Sequence, residues 1–135
     1  MLVTTKGRYA MRLMVYLALN AKENAVSLRE VSEQEDISMK YLEQLARPLV
    51  LFGLLESVRG KGGGYRLAKM PDRIKAGDIL RAAEGHTLPV ACDGLRDECQ
   101  KSTECVTVGF WKELDALIES YVDKKTLADI ISEGV

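Results

Sequence analysis

Four of the chain's eleven glycines fall between Gly60 and Gly64, and their surroundings constrain the fold more than any other stretch. Leu55-Glu-Ser-Val58 and Tyr65-Arg-Leu-Ala68 are short alternating segments with Arg59-Gly-Lys-Gly-Gly-Gly64 between them. Alternation on both sides of a glycine-rich loop predicts a β-hairpin. The same loop excludes two nucleotide-binding readings. A phosphate-cradling loop needs Ser or Thr after its lysine at a helix start, whereas Gly62 follows Lys61 and a strand follows the loop. A dinucleotide fingerprint needs glycine where Tyr65 stands. The loop instead presents two cations, Arg59 and Lys61, on a backbone able to approach a surface closely. At a wing tip they would sit in or beside a DNA minor groove, where the potential is most negative. A solvated hairpin tip is the plain alternative.

The residues before the hairpin are helical. From about Lys6 to Asn20 the apolar positions Tyr9, Leu13, Met14, Tyr16, Leu17 and Ala18 recur at three- and four-residue steps, the pattern of an amphipathic helix. Ser27-Leu-Arg-Glu30 has capping-box spacing and predicts a short helix from Leu28 to about Glu35, with Leu28 and Val31 inward and Glu30 reaching back. Glu35-Asp36-Ile37 reads as a tight turn with one buried anchor. Ser38 then caps a second short helix carrying Tyr41, Leu42 and Leu45 inward and Lys40, Glu43, Gln44 and Arg47 outward. Pro48 marks a kink or the start of a turn, and Gly53 ends the helical part. Helix, helix, short turn, helix and hairpin is the order of a winged helix-turn-helix, so the expected class is mostly α with a small β wing. In that frame Ser38, Lys40, Glu43 and Gln44 occupy the exposed turns of a recognition helix. Glutamine can bond adenine and glutamate can accept from cytosine, although a solvated helix face explains Glu43 equally well.

Beyond Pro71-Asp72 a short helix is expected from Gly77 or Asp78 to Glu84, then an irregular segment over 85–106, then a long helix from Val108 to about Ile131. Trp111, Leu114, Ile118, Tyr121 and Val122 form one stripe on that helix. So small a domain has no evident place to bury the stripe, which points to a partner chain. The expected organisation is a DNA-binding domain over 1–75, a connecting helix and loop over 76–107, and a dimerisation helix and tail over 108–135. Charge divides along similar lines. Residues 1–75 hold 13 Lys and Arg against 8 Asp and Glu, and residues 76–135 hold 6 against 12. A basic front half suits a polyanion, despite a net charge of −1 overall.

A content of 47% hydrophobic and 29% charged residues suits a soluble globular protein. The longest apolar run, Leu13 to Leu19, falls far short of the ~18–20 residues of a membrane span. The charges at Lys6 and Arg8 stand where a secretory signal needs apolar residues. These features predict a cytoplasmic protein that does not engage membranes. No serine–histidine–carboxylate or cysteine–histidine spacing suggests catalysis, so neither an enzyme nor a small-molecule substrate is expected.

Cys92, Cys99 and Cys105 are confined to a stretch otherwise rich in Asp, Glu, Lys and Gly. Structural cysteines sit among apolar neighbours; these suit metal or redox chemistry. Zinc knuckles with their close pairs are absent, and wide, even spacing better fits an iron–sulfur cluster, whose separate irons each need thiolate. A metal-free thiol switch, zinc and chemical inertness are the alternatives. His86, the chain's one histidine, is a candidate further ligand, or else a surface residue at a helix end.

Thr5-Lys-Gly-Arg-Tyr-Ala10, Ile37-Ser-x-x-Tyr-Leu-Glu-Gln-Leu45, Gly53-Leu, Ser57-Val-Arg-Gly-x-Gly-Gly-Gly-Tyr65 and the three later cysteines together strongly resemble the family of winged-helix regulators that includes IscR, NsrR and CymR. The resemblance runs in register from residue 1 to about 130. It implies a homodimer with crossing C-terminal helices and recognition contacts from Ser38, Lys40, Tyr41, Glu43 and Gln44. It implies a minor-groove contact from Arg59, and an iron–sulfur cluster, 2Fe–2S in type, on Cys92, Cys99 and Cys105. IscR-like proteins add a histidine three residues after the last cysteine, where this chain has Val108. Other members use an acidic residue or histidine of the partner's first helix, where this chain has Arg8 and Arg12. The resemblance therefore leaves the fourth ligand to His86, to Asp93, Asp97, Glu98 or Glu104, or to an exogenous group. A dimer carrying two recognition helices should read a near-palindromic double-stranded operator. A cluster-free thiol regulator and a metal-binding module that ignores DNA are the rival functions.

Overall fold

The computed structural model describes residues 3–21, 23–85 and 106–134. Helix α1 (Thr5–Asn20) starts at Thr4, whose extended backbone lets its side chain accept from the Lys6 N–H at 3.2 Å. Its stripe of Ala10, Leu13, Met14 and Leu17 is wholly buried and forms the centre of the core. Complete burial of a leucine or methionine side chain stabilises by about 1.5–3 kcal/mol, so this stripe dominates the local energetics.

Helix α2 (Leu28–Glu35) buries Leu28 and Val31 as the periodicity requires. The Ser27 hydroxyl accepts from the Glu30 N–H, but the carboxylate does not close the box. Glu30 Oε2 instead accepts from the Tyr16 hydroxyl of α1 at 2.6 Å. The turn into α3 (Met39–Leu51) passes through Asp36, which is left-handed at φ 55°. Aspartate tolerates that conformation better than most side chains. Ile37 is buried beyond it as the anchor, and Ser38 Oγ accepts from the Tyr41 N–H at 3.2 Å.

Helix α3 continues three residues past Pro48. The missing donor costs one bond within the helix, while Leu42, Leu45, Ala46 and Leu49 hold the segment against α1. The Phe52 N–H donates to the Pro48 carbonyl at 2.9 Å and closes the last turn.

Strands β1 (Leu55–Val58) and β2 (Gly64–Leu67) pair antiparallel, Leu55 opposite Leu67 and Val58 opposite Gly64. A third piece is added by Val26, whose N–H and C=O bond Tyr65 at 2.9 and 2.8 Å. This bridge ties the wing to the start of α2. It also accounts for Gly64: a Cβ there would lie 2.2 Å from the Val26 carbonyl oxygen, at φ +147°.

After a 3₁₀ turn at Pro71–Arg73, helix α4 (Ala76–Glu84) returns against α1. Helices α5 (Val108–Lys124) and α6 (Leu127–Gly134) replace the single long helix expected from Val108 to about Ile131. Lys125 is extended, and Thr126 forms an antiparallel bridge with Lys75. The Thr126 hydroxyl accepts from the Asp129 N–H at 3.1 Å and the Asp129 carboxylate from the Thr126 N–H at 3.0 Å. That reciprocal box starts a new helix. The break turns Leu127 into the core of its own chain, and Val122 packs on Ala76 and Leu80. Part of the stripe assigned to a partner is therefore buried internally.

Candidate nucleic-acid interface

The helix-turn-helix is held from behind by α1. The Arg12 guanidinium donates to the backbone carbonyl of Glu35, at the end of α2, and lies 3.5 Å from that residue's carboxylate. Tyr9 meets Tyr41 edge to face, ring centroids 5.8 Å apart at 88°, and Arg12 covers the Tyr9 ring at 5.3 Å. Tyr41 is consequently half-buried, as its periodicity predicts, with its ring committed to Tyr9. The recognition contact that the resemblance assigns to it is restricted to what remains exposed.

Ser38, Lys40, Glu43, Gln44 and Arg47 are exposed on the first three turns of α3. The Ser38 hydroxyl already accepts the capping bond, which leaves its proton free to donate to a ligand. Lys40, Gln44 and Arg47 make no side-chain hydrogen bond or ion pair among the described residues, so their donors face solvent. Five polar side chains on one helix can address base edges and phosphates together.

The wing separates its charges. Arg66 pairs across the strands with Glu56 and is neutralised on site. Arg59 and Lys61 are exposed and unpaired among the described residues, so the tip retains its full positive charge. The Gly63 N–H donates to the Gly60 carbonyl at 3.0 Å and closes the tip between them.

His86, Cys92, Cys99 and Cys105 lie outside the described residues, as do Asp93, Asp97, Glu98 and Glu104. Of the positions where the resemblance looks for a further ligand, Val108 opens α5 and Arg12, on α1, is engaged with Glu35.

The Arg12–Glu35 link spans 23 positions and leaves no local trace in the sequence. Val26 likewise forms a single bridge rather than a strand, so it has no alternating run to announce it.

Comparison with known proteins decides the lineage. The sequence profile of Rrf2, iron-dependent transcriptional regulators, matches residues 3–133. The chain belongs to the Rrf2 family. Among its relatives, the HTH-type transcriptional regulator IscR of Aliivibrio salmonicida is 41% identical over 134 residues, spanning 99% of this chain and 79% of that protein. Of solved structures, T. potens IscR superposes with a TM-score of 0.79 at 38% identity, covering 100% of this chain and 89% of the other. The CymR global cysteine regulator of B. subtilis superposes with a TM-score of 0.76 at 34% identity over 98% of both chains. The fold is the winged helix of Rrf2 regulators, and the protein is a transcriptional regulator rather than an enzyme. Among the described residues no helix is long and apolar enough to cross a membrane.

Proposed function

We propose that this Rrf2 member binds a near-palindromic double-stranded DNA operator as a homodimer and adjusts that binding through an iron–sulfur cluster on Cys92, Cys99 and Cys105. The observation that carries the DNA reading is the pairing of an exposed, polar α3 with a wing tip whose cations are unpaired, on a scaffold that clamps the turn between α2 and α3. Ser38, Lys40, Tyr41, Glu43 and Gln44 address the major groove, and Arg59 and Lys61 the minor groove.

The dimer is supported by the outer face of α5, where Phe110, Leu117 and Tyr121 are 61%, 68% and 63% exposed beside Trp111 and Leu114. An apolar face this long on a charged helix needs a cover. A second copy supplies one and sets two recognition helices about one helical turn of DNA, ~34 Å, apart.

Three thiolates are a donor set that fits the irons of a 2Fe–2S cluster while leaving one site to another group. When bound, such a cluster supplies a redox- and iron-responsive charge. On the protein side, Arg8, Arg12 and Val108 contribute no donor. His86, or a carboxylate of residues 93–104, or an exogenous group therefore completes the shell, which suits a labile sensor.

The test is anaerobic reconstitution with iron and sulfide counting, followed by salt-titrated binding to operator DNA in both forms. A coloured protein with a steep salt dependence supports the proposal. A protein that stays colourless yet binds DNA supports the thiol regulator. No binding to any duplex at low ionic strength, with Gln44→Ala and Arg59→Ala equally silent, rejects DNA recognition.

A further inference from the structure

The start of α1 lies beside the recognition helix. Lys6, Tyr41, Gln44, Leu45, Pro48 and Ala83 line one groove of about 200 Å³. Lys6 is exposed there and makes no ion pair among the described residues. Its backbone is not free to wander. Glu84, at the end of α4, accepts three hydrogen bonds on one carboxylate oxygen: from the Thr4 N–H at 2.8 Å, the Thr4 hydroxyl at 2.7 Å and the Gly7 N–H at 2.8 Å. Gly7 makes this approach possible, since a Cβ there would sit 2.8 Å from Glu84 Oε1.

Two physical points follow. The first-turn amides of a helix ordinarily attract anions, but here the Glu84 carboxylate already holds them, so any anion must be met by the Lys6 ammonium. The second is dimensional. A helix with side chains is about 10–12 Å across and a major groove about 12 Å wide. A cation on the flank of a seated α3, next to Gln44, therefore faces a phosphate strand at the groove edge.

We infer that Lys6 is a DNA backbone contact additional to α3 and the wing, and that Glu84 is the positioning residue that holds it there. The inference rests on the DNA-binding reading above, and the experiment separates their failures. Operator affinity of the full-length protein is measured against salt for wild type, Lys6→Ala, Lys6→Arg, Glu84→Ala, Glu84→Gln and the Lys6→Ala/Glu84→Ala double variant. Lys6→Ala should lower the slope of log affinity against log salt by about 0.9 per protomer and weaken binding roughly tenfold, equally on every operator variant. Lys6→Arg should restore the slope. Glu84→Ala should reproduce the slope of Lys6→Ala, and the double variant should lose nothing further. Glu84→Gln, which retains an acceptor oxygen, should lie close to wild type. A wild-type slope in Lys6→Ala overturns the inference while leaving DNA binding intact. A Glu84→Ala protein with a lowered Tm but an unchanged slope reduces Glu84 to a purely structural cap. A wild type that ignores DNA defeats both readings together.

Discussion

Arg12 and Glu35 meet at the point where α2 ends: the guanidinium takes the carbonyl that the helix leaves unpaired and adds an ion pair to the same residue. Helix termini leave such carbonyls without partners, and this one immediately precedes the left-handed Asp36. Arg12 thereby fixes the geometry of the helix-turn-helix from the side of α1.

Replacing Arg12 with alanine should therefore cost stability modestly and precision of the turn more. Both side chains are partly exposed, at 44% and 27%, so solvent screens the pair. A loss of about 1 kcal/mol, or roughly 4 °C in Tm, is expected. Arg12→Lys should recover little of it, because an ammonium cannot serve carbonyl and carboxylate with a rigid fork. Thermal melts of the three proteins check this.

The wing offers a sharper contrast. At Gly64 an added methyl meets the Val26 carbonyl oxygen at 2.2 Å, whereas at Gly60 it meets open space. Both have positive φ, 147° and 93°. Gly60→Ala carries backbone strain alone, about 1 kcal/mol. Gly64→Ala must also break the Val26–Tyr65 bridge and should cost about 3 kcal/mol. Urea unfolding midpoints rank the two, and equal midpoints would remove the bridge from the wing's support.

Much of this was legible in short-range patterns. Ser27 and Ser38 announce α2 and α3 because a cap is a local hydrogen bond, and the hairpin is announced by alternation around glycines. The C-terminal break is less legible: Thr126-Leu-Ala-Asp129 carries its own box, but apolar residues continue at helical spacing on both sides of it. Glu30 has capping-box spacing to Ser27, while the Tyr16 hydroxyl that competes for its carboxylate lies 14 residues away. The Thr4–Glu84 bonds join residues 80 apart and leave no pattern in either neighbourhood.

Acid and alkali should destabilise the fold through different residues. The Arg81 hydrogen bond, at 2.8 Å, outweighs burial and holds the Asp123 carboxyl below its ordinary range. The Thr126 N–H and hydroxyl do the same for Asp129. A depressed carboxylate contributes stability above its unfolded value of about 3.9, and that stability disappears as pH falls through the lower folded value. Tyr16 is the converse case. Its hydrogen bond to Glu30, then burial, push its hydroxyl up to about 12, so its contribution is complete below about pH 10 and vanishes as pH climbs to 12. Tm measured against pH should show Asp123→Asn converging on wild type only at strongly acid pH. Tyr16→Phe should converge only above pH 10.

The last prediction separates the chain's own core from its outer apolar face. Leu127 is wholly buried within the main core, and Leu117, ten residues earlier, is 68% exposed on α5. Truncating a buried leucine removes transfer energy and leaves a cavity, so Leu127→Ala should lose about 2–5 kcal/mol at any protein concentration. Leu117→Asp removes nothing from the core. If α5 is covered by a second copy, the aspartate places an unpaired charge in that contact, and the protein should sediment as a monomer while each chain keeps its helical signal. Stability of a dimer depends on protomer concentration, so wild-type Tm should rise with concentration and that of Leu117→Asp should not. Unchanged sedimentation for Leu117→Asp would show that this face of α5 is not where the copies meet.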